Sequence, residues 1–241
     1  MQILWGYQAS MRSEYTYRDI DMKNQGQLNI DRWDFLPTLH LSYNCPEGNQ
    51  VMASYTRQIR RPRGWVLEPF ITWSDNYNVR RENPNLLPEY IDSYELGYQK
   101  EFNEKHSVSA ELYYHISENE IKRVRSVWRD NIMLTTFENV GTEYRLGTEL
   151  RLATQQTEWW ESDLVGNFYD YRIKGELNNR EFDRGTFTWS VRWNNIFNVG
   201  ENTRIQLNPS YDSHEFEAQE VEKSEFELDG AITPIVMLDI T

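Results

Sequence analysis

The sequence predicts an all-β protein: an antiparallel up-and-down transmembrane β-barrel segment of about ten strands, with short periplasmic turns and long extracellular loops. Three observations support this prediction. Apolar and polar residues alternate along most of the chain, many alternating runs are long, and short connections alternate with long ones. A tilted strand that crosses a bilayer needs about nine to eleven residues, whereas strands of soluble proteins average about five or six.

The alternation is clearest in HSVSAELYYHIS, residues 106–117. A period of two places Leu112 and Tyr114 on one face of a strand and Glu111 and His115 on the other. Similar runs recur around residues 5–12, 39–43, 51–56, 94–99, 144–152, 187–194, 205–211 and 226–232, and less regularly at 165–173. Because charged residues recur on the polar face, a wet barrel interior suits it better than a dry core.

The connections indicate a common polarity of the hairpins. Short, turn-like stretches lie at 44–49, 103–106, 154–162 and 198–203, and longer polar stretches at 18–33, 60–91, 118–131, 175–185 and 212–224. Outer-membrane barrels keep their long loops at one rim, whereas a soluble sandwich has no reason to do so. Tyr and Trp near strand ends fit an interfacial aromatic girdle. They are Tyr15, Tyr17, Tyr43, Trp159 and Trp160.

Composition narrows the classes of function. The net charge is −13 and aromatic residues make up 14% of the chain, which argues against both a nucleic-acid partner and a disordered chain. Cys45 is the only cysteine, so no internal disulfide forms. No stretch is apolar enough for a membrane helix.

Several blocks of the sequence resemble TonB-dependent outer-membrane receptors, in particular the Bacteroidetes-type outer membrane β-barrel family. The blocks are Arg61-Pro62, Leu67-Glu68-Pro69-Phe70, Asn83-Pro84-Asn85-Leu86-Leu87-Pro88-Glu89, Tyr94-Glu95-Leu96-Gly97-Tyr98 and Phe137-Glu138-Asn139-Val140-Gly141-Thr142-Glu143-Tyr144. The prolines in the first three blocks hold the chain extended, so residues 60–91 are expected to form a semi-rigid outer loop.

The resemblance implies a bacterial outer-membrane barrel that helps to import a scarce nutrient such as a metal chelate, vitamin or glycan. It also implies lipid, a plug domain, the TonB energy-coupling system and in some cases a surface lipoprotein as partners. Because family barrels have twenty-two strands and a plug, residues 1–241 are expected to form one partial barrel domain, an internal or C-terminal fragment that lacks the plug and the remaining strands. A complete small barrel stays open as an alternative.

Two groups of residues are candidates for function. Basic and aromatic residues of the longest loop could bind an anionic or ring-bearing ligand. They are Arg60, Arg61, Arg63, Trp65, Trp73, Arg80 and Arg81. Solvated loop charge is the alternative, and the favoured one, for the arginines, and packing of the loop on itself accounts equally well for the aromatic residues. Charged residues of the polar faces are expected to face the barrel lumen, either along a substrate path or as offsetting cross-strand pairs. They are Glu95, Glu111, Arg145, Glu149, Arg151 and Arg192.

No pattern of residues indicates catalysis, a metal site or a cofactor. We therefore expect a protein that is not an enzyme. Two alternatives remain at this point: a ten-stranded outer-membrane barrel hydrolase, whose activity would depend on a residue such as His115 or His214, and a soluble β-sandwich binding module.

Overall fold

The computed structural model describes residues 4–22, 26–68, 70–129, 131–177, 180–200, 202–216 and 221–234. In chain order the strands are β1 (Trp5–Met22), β2 (Gly26–Cys45), β3 (Asn49–Arg60), β4 (Ile71–Trp73), β5 (Asn78–Arg81), β6 (Glu89–Asn103), β7 (His106–Glu118), β8 (Ile121–Arg129), β9 (Ile132–Asn139), β10 (Gly141–Thr157), β11 (Trp160–Leu177), β12 (Arg180–Val199), β13 (Thr203–Asp212), β14 (Glu215–Phe216), β15 (Val221–Glu222) and β16 (Glu225–Pro234). A 3₁₀ turn, Gly64–Leu67, precedes β4.

The main sheet has ten strands within these ranges, in the order β1-β2-β3-β6-β7-β10-β11-β12-β13-β16. Every neighbouring pair is antiparallel. The short turns before β3, β7, β11 and β13 therefore lie at one rim, and the long connections lie at the other. This arrangement confirms the predicted up-and-down topology and the predicted strand number.

One face of the main sheet is apolar and exposed. Leu41, Ala53, Leu96 and Leu112 lie in one row across β2, β3, β6 and β7, each opposite the next in register. Leu96 and Leu112 are both about half exposed, at 52% and 53%. Water would not stabilise such a continuous apolar face, whereas acyl chains would. The soluble sandwich is therefore wrong, since the second sheet of this chain covers the opposite, polar face.

Aromatic side chains mark the rim that carries the short turns. Trp159, Trp160 and Phe197 stack on one another with ring centroids 6.0–6.3 Å apart. The Trp160 indole N–H donates to Asn195 Oδ1 at 3.1 Å, so the polar end of the ring is satisfied where the apolar band ends. At the same rim, Trp5 packs against Tyr43 in the first hairpin. This arrangement is typical of an interfacial girdle.

Three of the five predicted long loops, at 18–33, 118–131 and 175–185, are mostly strand in their described residues, which corrects the prediction that they are irregular. Residues 18–22 and 26–33 form the outer half of the β1–β2 hairpin, and residues 175–177 and 180–185 continue the β11–β12 hairpin. The other three stretches contain β4 and β5, β8, and β14 and β15. Outside the bilayer neither face needs to be apolar, so alternation fades. Backbone pairing persists because each N–H and C=O group still needs a partner.

Strands β1 and β16 form the two ends of the sheet. Within the part of the chain that the structure describes, neither pairs with the other. Their outer backbone groups therefore need further strands or closure in a hydrocarbon environment, which does not tolerate open sheet edges.

Gly147 gives a direct test of packing on the polar face. A Cβ atom at this position would lie 2.5 Å from the ring of Tyr113, which lies across the glycine and donates its hydroxyl to Asn167 at 2.8 Å. Gly147→Ala should therefore lower the free energy of unfolding by about 1–3 kcal/mol, because it displaces this ring.

Urea unfolding in phospholipid vesicles measures this cost. Gly230→Ala is the matched control, because the nearest heavy atom to a new Cβ there lies 3.7 Å away. Equal stability losses for the two variants would contradict the packing described for Tyr113.

Candidate functional site

Two of the long connections join into a second sheet at the outer rim, which we call the cap sheet. It consists of β4, β5, β9 and β8 in that order. Strand β5, from the connection before β6, pairs in parallel with β9, from the connection before β10. The cap sheet therefore ties together two loops that are far apart in sequence, and neither loop is a flexible tether.

The cap sheet packs against the polar face of the main sheet. Val124 of β8 forms a buried cluster with Val140, Tyr171 and Ile173. Tyr171 and Ile173 belong to β11 and lie opposite Arg145 and Glu143 of β10, in the polar-face phase. The cap sheet therefore covers part of the polar face near the long-loop rim, where it restricts access to that face.

Two asparagines hold the segment that leads into β6. Asn139 accepts a hydrogen bond from Leu87 N at 2.9 Å and donates to Leu87 O at 3.0 Å. Asn83 donates to Phe137 O at 3.1 Å. A neighbouring buried cluster of Val66, Leu67 and Leu86 packs with Phe137. The predicted semi-rigid loop is therefore held in place by side-chain hydrogen bonds and apolar packing as well as by its prolines.

Most of the predicted ligand-binding residues have partners within the protein. Arg60 pairs with Glu89 at 2.8 Å, Arg61 with Glu14 and Asp34, and Arg80 with Glu82. Trp65 packs edge-on against Phe137 under the Arg80 guanidinium, and Trp73 packs against Trp128.

Arg63 and Arg81 differ from the rest of this set. Both are exposed, and neither forms an ion pair within the described ranges. They are the members of the predicted set whose charge is available to a ligand.

The predicted lumen-facing residues share the polar face of the main sheet. Glu111 lies directly opposite Glu149, and Glu95 lies one strand away from them. The arginines lie elsewhere on the same face: Arg145 pairs with Glu143 and Arg151 with Asp163, while Arg192 is exposed. The structure thus brings the three carboxylates together, while Arg145 and Arg151 form their ion pairs with other carboxylates of the same face.

The contacts around His115 do not form a hydrolytic triad. Ser54 Oγ donates to Glu95 Oε2 at 2.6 Å, and His115 Nε2 lies 3.7 Å from Glu95 Oε1. An activated serine needs the imidazole, not a carboxylate, as its hydrogen-bond acceptor. His214 follows β13 and is far along the sheet from β7. The arrangement therefore gives no support to the hydrolase alternative.

A buried carboxylate joins the cap sheet to the main sheet. Glu120 directly precedes β8, its backbone N–H donates to Gly141 O at 3.0 Å, and its side chain lies 3.5 Å from Lys122 Nζ. Burial raises the pKa of Glu120 to about 7, and the neighbouring carboxylates Glu143 and Glu89 contribute in the same direction. Sequence reasoning missed this residue because its burial depends on contacts between distant segments.

Docking of the cap sheet should depend on pH through Glu120. A carboxyl group with a raised pKa favours the folded state most below its unfolded pKa of about 4.5, and this contribution is lost as pH rises through about 7. Backbone hydrogen exchange of residues 121–139, corrected for intrinsic rates, should therefore show more protection at about pH 5 than at about pH 8.

Glu120→Gln should remove this difference, because the neutral amide mimics the protonated acid at both pH values. Glu104→Gln, in the short turn between β6 and β7, should leave the difference intact. Wild-type protection that stays constant across this pH range would contradict the assignment to Glu120.

Comparisons with known proteins agree with this architecture. A model of the outer membrane protein beta-barrel family matches residues 2–236. The chain is similar in structure to the FrpB iron transporter from Neisseria meningitidis (TM-score 0.62, 12% identity, 96% of this chain and 36% of that one). It is also similar to the ferric yersiniabactin uptake receptor FyuA from Yersinia pestis (TM-score 0.56, 14% identity, 95% of this chain and 34% of that one). A third similar structure is the siderophore receptor PirA from Pseudomonas aeruginosa (TM-score 0.52, 15% identity, 95% of this chain and 49% of that one).

The chain spans about half or less of the length of these three proteins. No curated protein sequence matches it. Among the described residues, no helix has the length and apolar character needed to cross a membrane. The same ranges contain no cluster of three or more His, Cys, Asp or Glu side chains arranged to hold a metal ion.

Proposed function

Because the chain belongs to the outer membrane protein beta-barrel family and is a bacterial outer-membrane protein, we propose that it forms part of the barrel of a TonB-dependent receptor. The receptor imports a scarce nutrient: a metal chelate, a vitamin or a glycan. The names of the similar structures, an iron transporter and two receptors for iron chelates, favour the metal chelate among these three classes.

The observation that carries this proposal is the ordered cap sheet over the polar face. A passive pore needs an open path, whereas a receptor needs fixed outer surfaces that recognise a ligand before it enters. The parallel pairing of β5 with β9 and the buried contact of Val124 with Ile173 fix such a surface here. Arg63 and Arg81, which are exposed, are the residues of the predicted set that we expect to meet the ligand.

The polar face of the main sheet lines the interior of the barrel in this proposal. The carboxylates Glu95, Glu111 and Glu149 then face the lumen or a plug domain, together with Arg145, Arg151 and Arg192. The free edges of β1 and β16 pair with further strands of the receptor, which satisfies their backbone groups in the membrane. A plug and the TonB system supply the gate and the energy.

Energised uptake separates a receptor from a pore. In the source bacterium, deletion of the gene should abolish uptake of one labelled nutrient among a ferric chelate, cobalamin and an oligosaccharide. Expression from a plasmid should restore this uptake, and a protonophore should abolish it again because TonB coupling uses the proton-motive force. Uptake that persists in the presence of the protonophore would identify a passive pore and contradict the proposal.

A further inference from the structure

A cleft at the outer rim combines arginines with an apolar wall. It lies between the outer half of the β1–β2 hairpin and the proline-rich segment that leads into β6, and its volume is about 280 Å³. Its lining includes Arg18, Arg32 and Arg61 and no Asp or Glu. Arg32 and Arg61 have carboxylate partners just outside the lining, so Arg18 supplies the positive charge that favours an anionic ligand in this acidic chain.

The hairpin supplies the basic wall. Thr16 lies opposite Arg32 and Arg18 opposite Ile30, so the two guanidinium groups come from neighbouring rows of the same polar face. Arg18 has no ion-pair partner among the described residues, while Arg32 Nε lies 3.0 Å from Asp34. The two arginines are diagonal neighbours on this face, so an anion placed between their guanidinium groups would offset the repulsion between the two like charges.

Arg61 closes the base of the cleft. Its Nη1 donates to Glu14 at 2.5 Å and its Nη2 to Asp34 at 2.9 Å, which ties the loop to the hairpin. Tyr90 also donates to Asp34, at 2.5 Å. The buried Nε–H of Arg61 finds no acceptor within the described ranges. A buried donor without an acceptor is costly, so an acceptor from a ligand would stabilise it.

The opposite wall is apolar and rigid. Pro62, Pro84, Leu86, Leu87 and Pro88 contribute to it, and the two hydrogen bonds of Asn139 fix the backbone of Leu87. The side chain of Leu87 remains half exposed at 50%. A flat apolar group could bury this wall without any rearrangement of the backbone, which lowers the entropic cost of binding.

We propose that this cleft binds a small organic carboxylate whose apolar body lies on the proline–leucine wall and whose carboxylate pairs with Arg18 and Arg32. Arginine suits this task, because its planar fork of donors matches a carboxylate in two places. The volume, near the lower end of small-molecule pockets, fits one or two rings and not a large chelate. This proposal is argued from the geometry of the rim, and it does not depend on the proposal that the chain takes part in nutrient import.

Fluorine NMR of the full chain refolded in detergent micelles tests the proposal, with 6-fluoro-2-naphthoate as the probe. The naphthoate should bind saturably, and the neutral 6-fluoro-2-naphthylmethanol should bind at least about tenfold more weakly, since an ion pair of this kind contributes more than a neutral hydrogen bond. Arg18→Gln should weaken naphthoate binding by about tenfold or more.

Arg204→Gln is the matched control, because it removes the same charge at the opposite rim, where Arg204 is exposed and its Nε donates to Asn198 Oδ1 at 3.3 Å. Its binding should equal that of the wild type. Leu87→Ser tests the apolar wall independently and should also weaken binding, whether or not Arg18→Gln refolds. Migration on unheated gels verifies folding of each variant.

Three outcomes would overturn the proposal. In the first, the naphthoate binds to micelles that contain the protein no better than to empty micelles. In the second, Arg18→Gln or Leu87→Ser binds the naphthoate as well as the wild type does. In the third, inorganic phosphate competes with the probe as well as the unlabelled naphthoate does. The last result would identify a site for free anions that makes no use of the apolar wall. Because no transport step is involved, failure of this test leaves the import proposal standing.

Discussion

Leu112→Arg should destabilise the membrane-inserted protein by about 2–4 kcal/mol, since an arginine near the bilayer midplane on the lipid-facing side carries a cost of that size. Leu112 lies in the middle row of the apolar face, opposite Leu96 on one side and Thr148 on the other. Its side chain is 53% exposed. Urea unfolding in phospholipid vesicles measures the difference from the wild type.

Glu111→Arg is the matched control, one residue away on the same strand. It introduces the same side chain on the polar face, where the carboxylates of Glu95 and Glu149 offset the new charge. The expected change in stability is within about 1 kcal/mol. Equal losses of stability for the two variants would mean that the two faces of β7 lie in the same environment.

Asp34→Ala should cost about 3 kcal/mol and release the outer half of the β1–β2 hairpin. Asp34 is 3% exposed and pairs with Arg32 and Arg61, so its removal leaves Arg32 without its carboxylate and Arg61 with Glu14 alone. Breaking a buried pair costs about 3–5 kcal/mol, and the partial exposure of both arginines places this case at the lower end. Hydrogen exchange of residues 28–36 should accelerate accordingly.

Asp183→Ala is the corresponding control in an exposed pair. Arg172 donates to Asp183 through two nitrogens, but both side chains are about half exposed, at 51% and 44%. Surface pairs contribute about 0–1 kcal/mol, so little change is expected. An Asp34 variant that is no less stable than this control would contradict the anchoring role given to Asp34.

The sequence was sufficient to predict the membrane-crossing strands, because the alternation of apolar and polar residues that predicts each strand lies within that strand. Alternation at Glu111 and Leu112 depends only on the period of a strand, and contact with lipid accounts for an apolar face of this extent. The ten crossing strands and the common polarity of their hairpins followed from that pattern and from connection lengths. The resemblance to outer-membrane receptors rested on the same segments and on the blocks around residues 83–98.

The outer rim could not be predicted in the same way, because its structure depends on long-range contacts. Nothing local to Val79 or Leu134 indicates the parallel pairing of β5 with β9. The arginines of the longest loop looked like a ligand site as a group. In the structure Arg60 and Arg61 satisfy acidic partners from other segments, while Arg18, which the sequence did not single out, faces the cleft.

The period of two in residues 106–117 offers the most direct test of the central claim. Cys45 is first replaced by serine, and single spin labels are then placed at successive positions of this strand in vesicles. Labels at residues 108, 110, 112, 114 and 116 should collide mainly with oxygen, which dissolves in acyl chains. Those at 107, 109, 111 and 115 should collide mainly with a water-soluble nickel complex. Equal accessibility at odd and even positions, or the reverse pattern, would show that the apolar face of this sheet does not contact lipid.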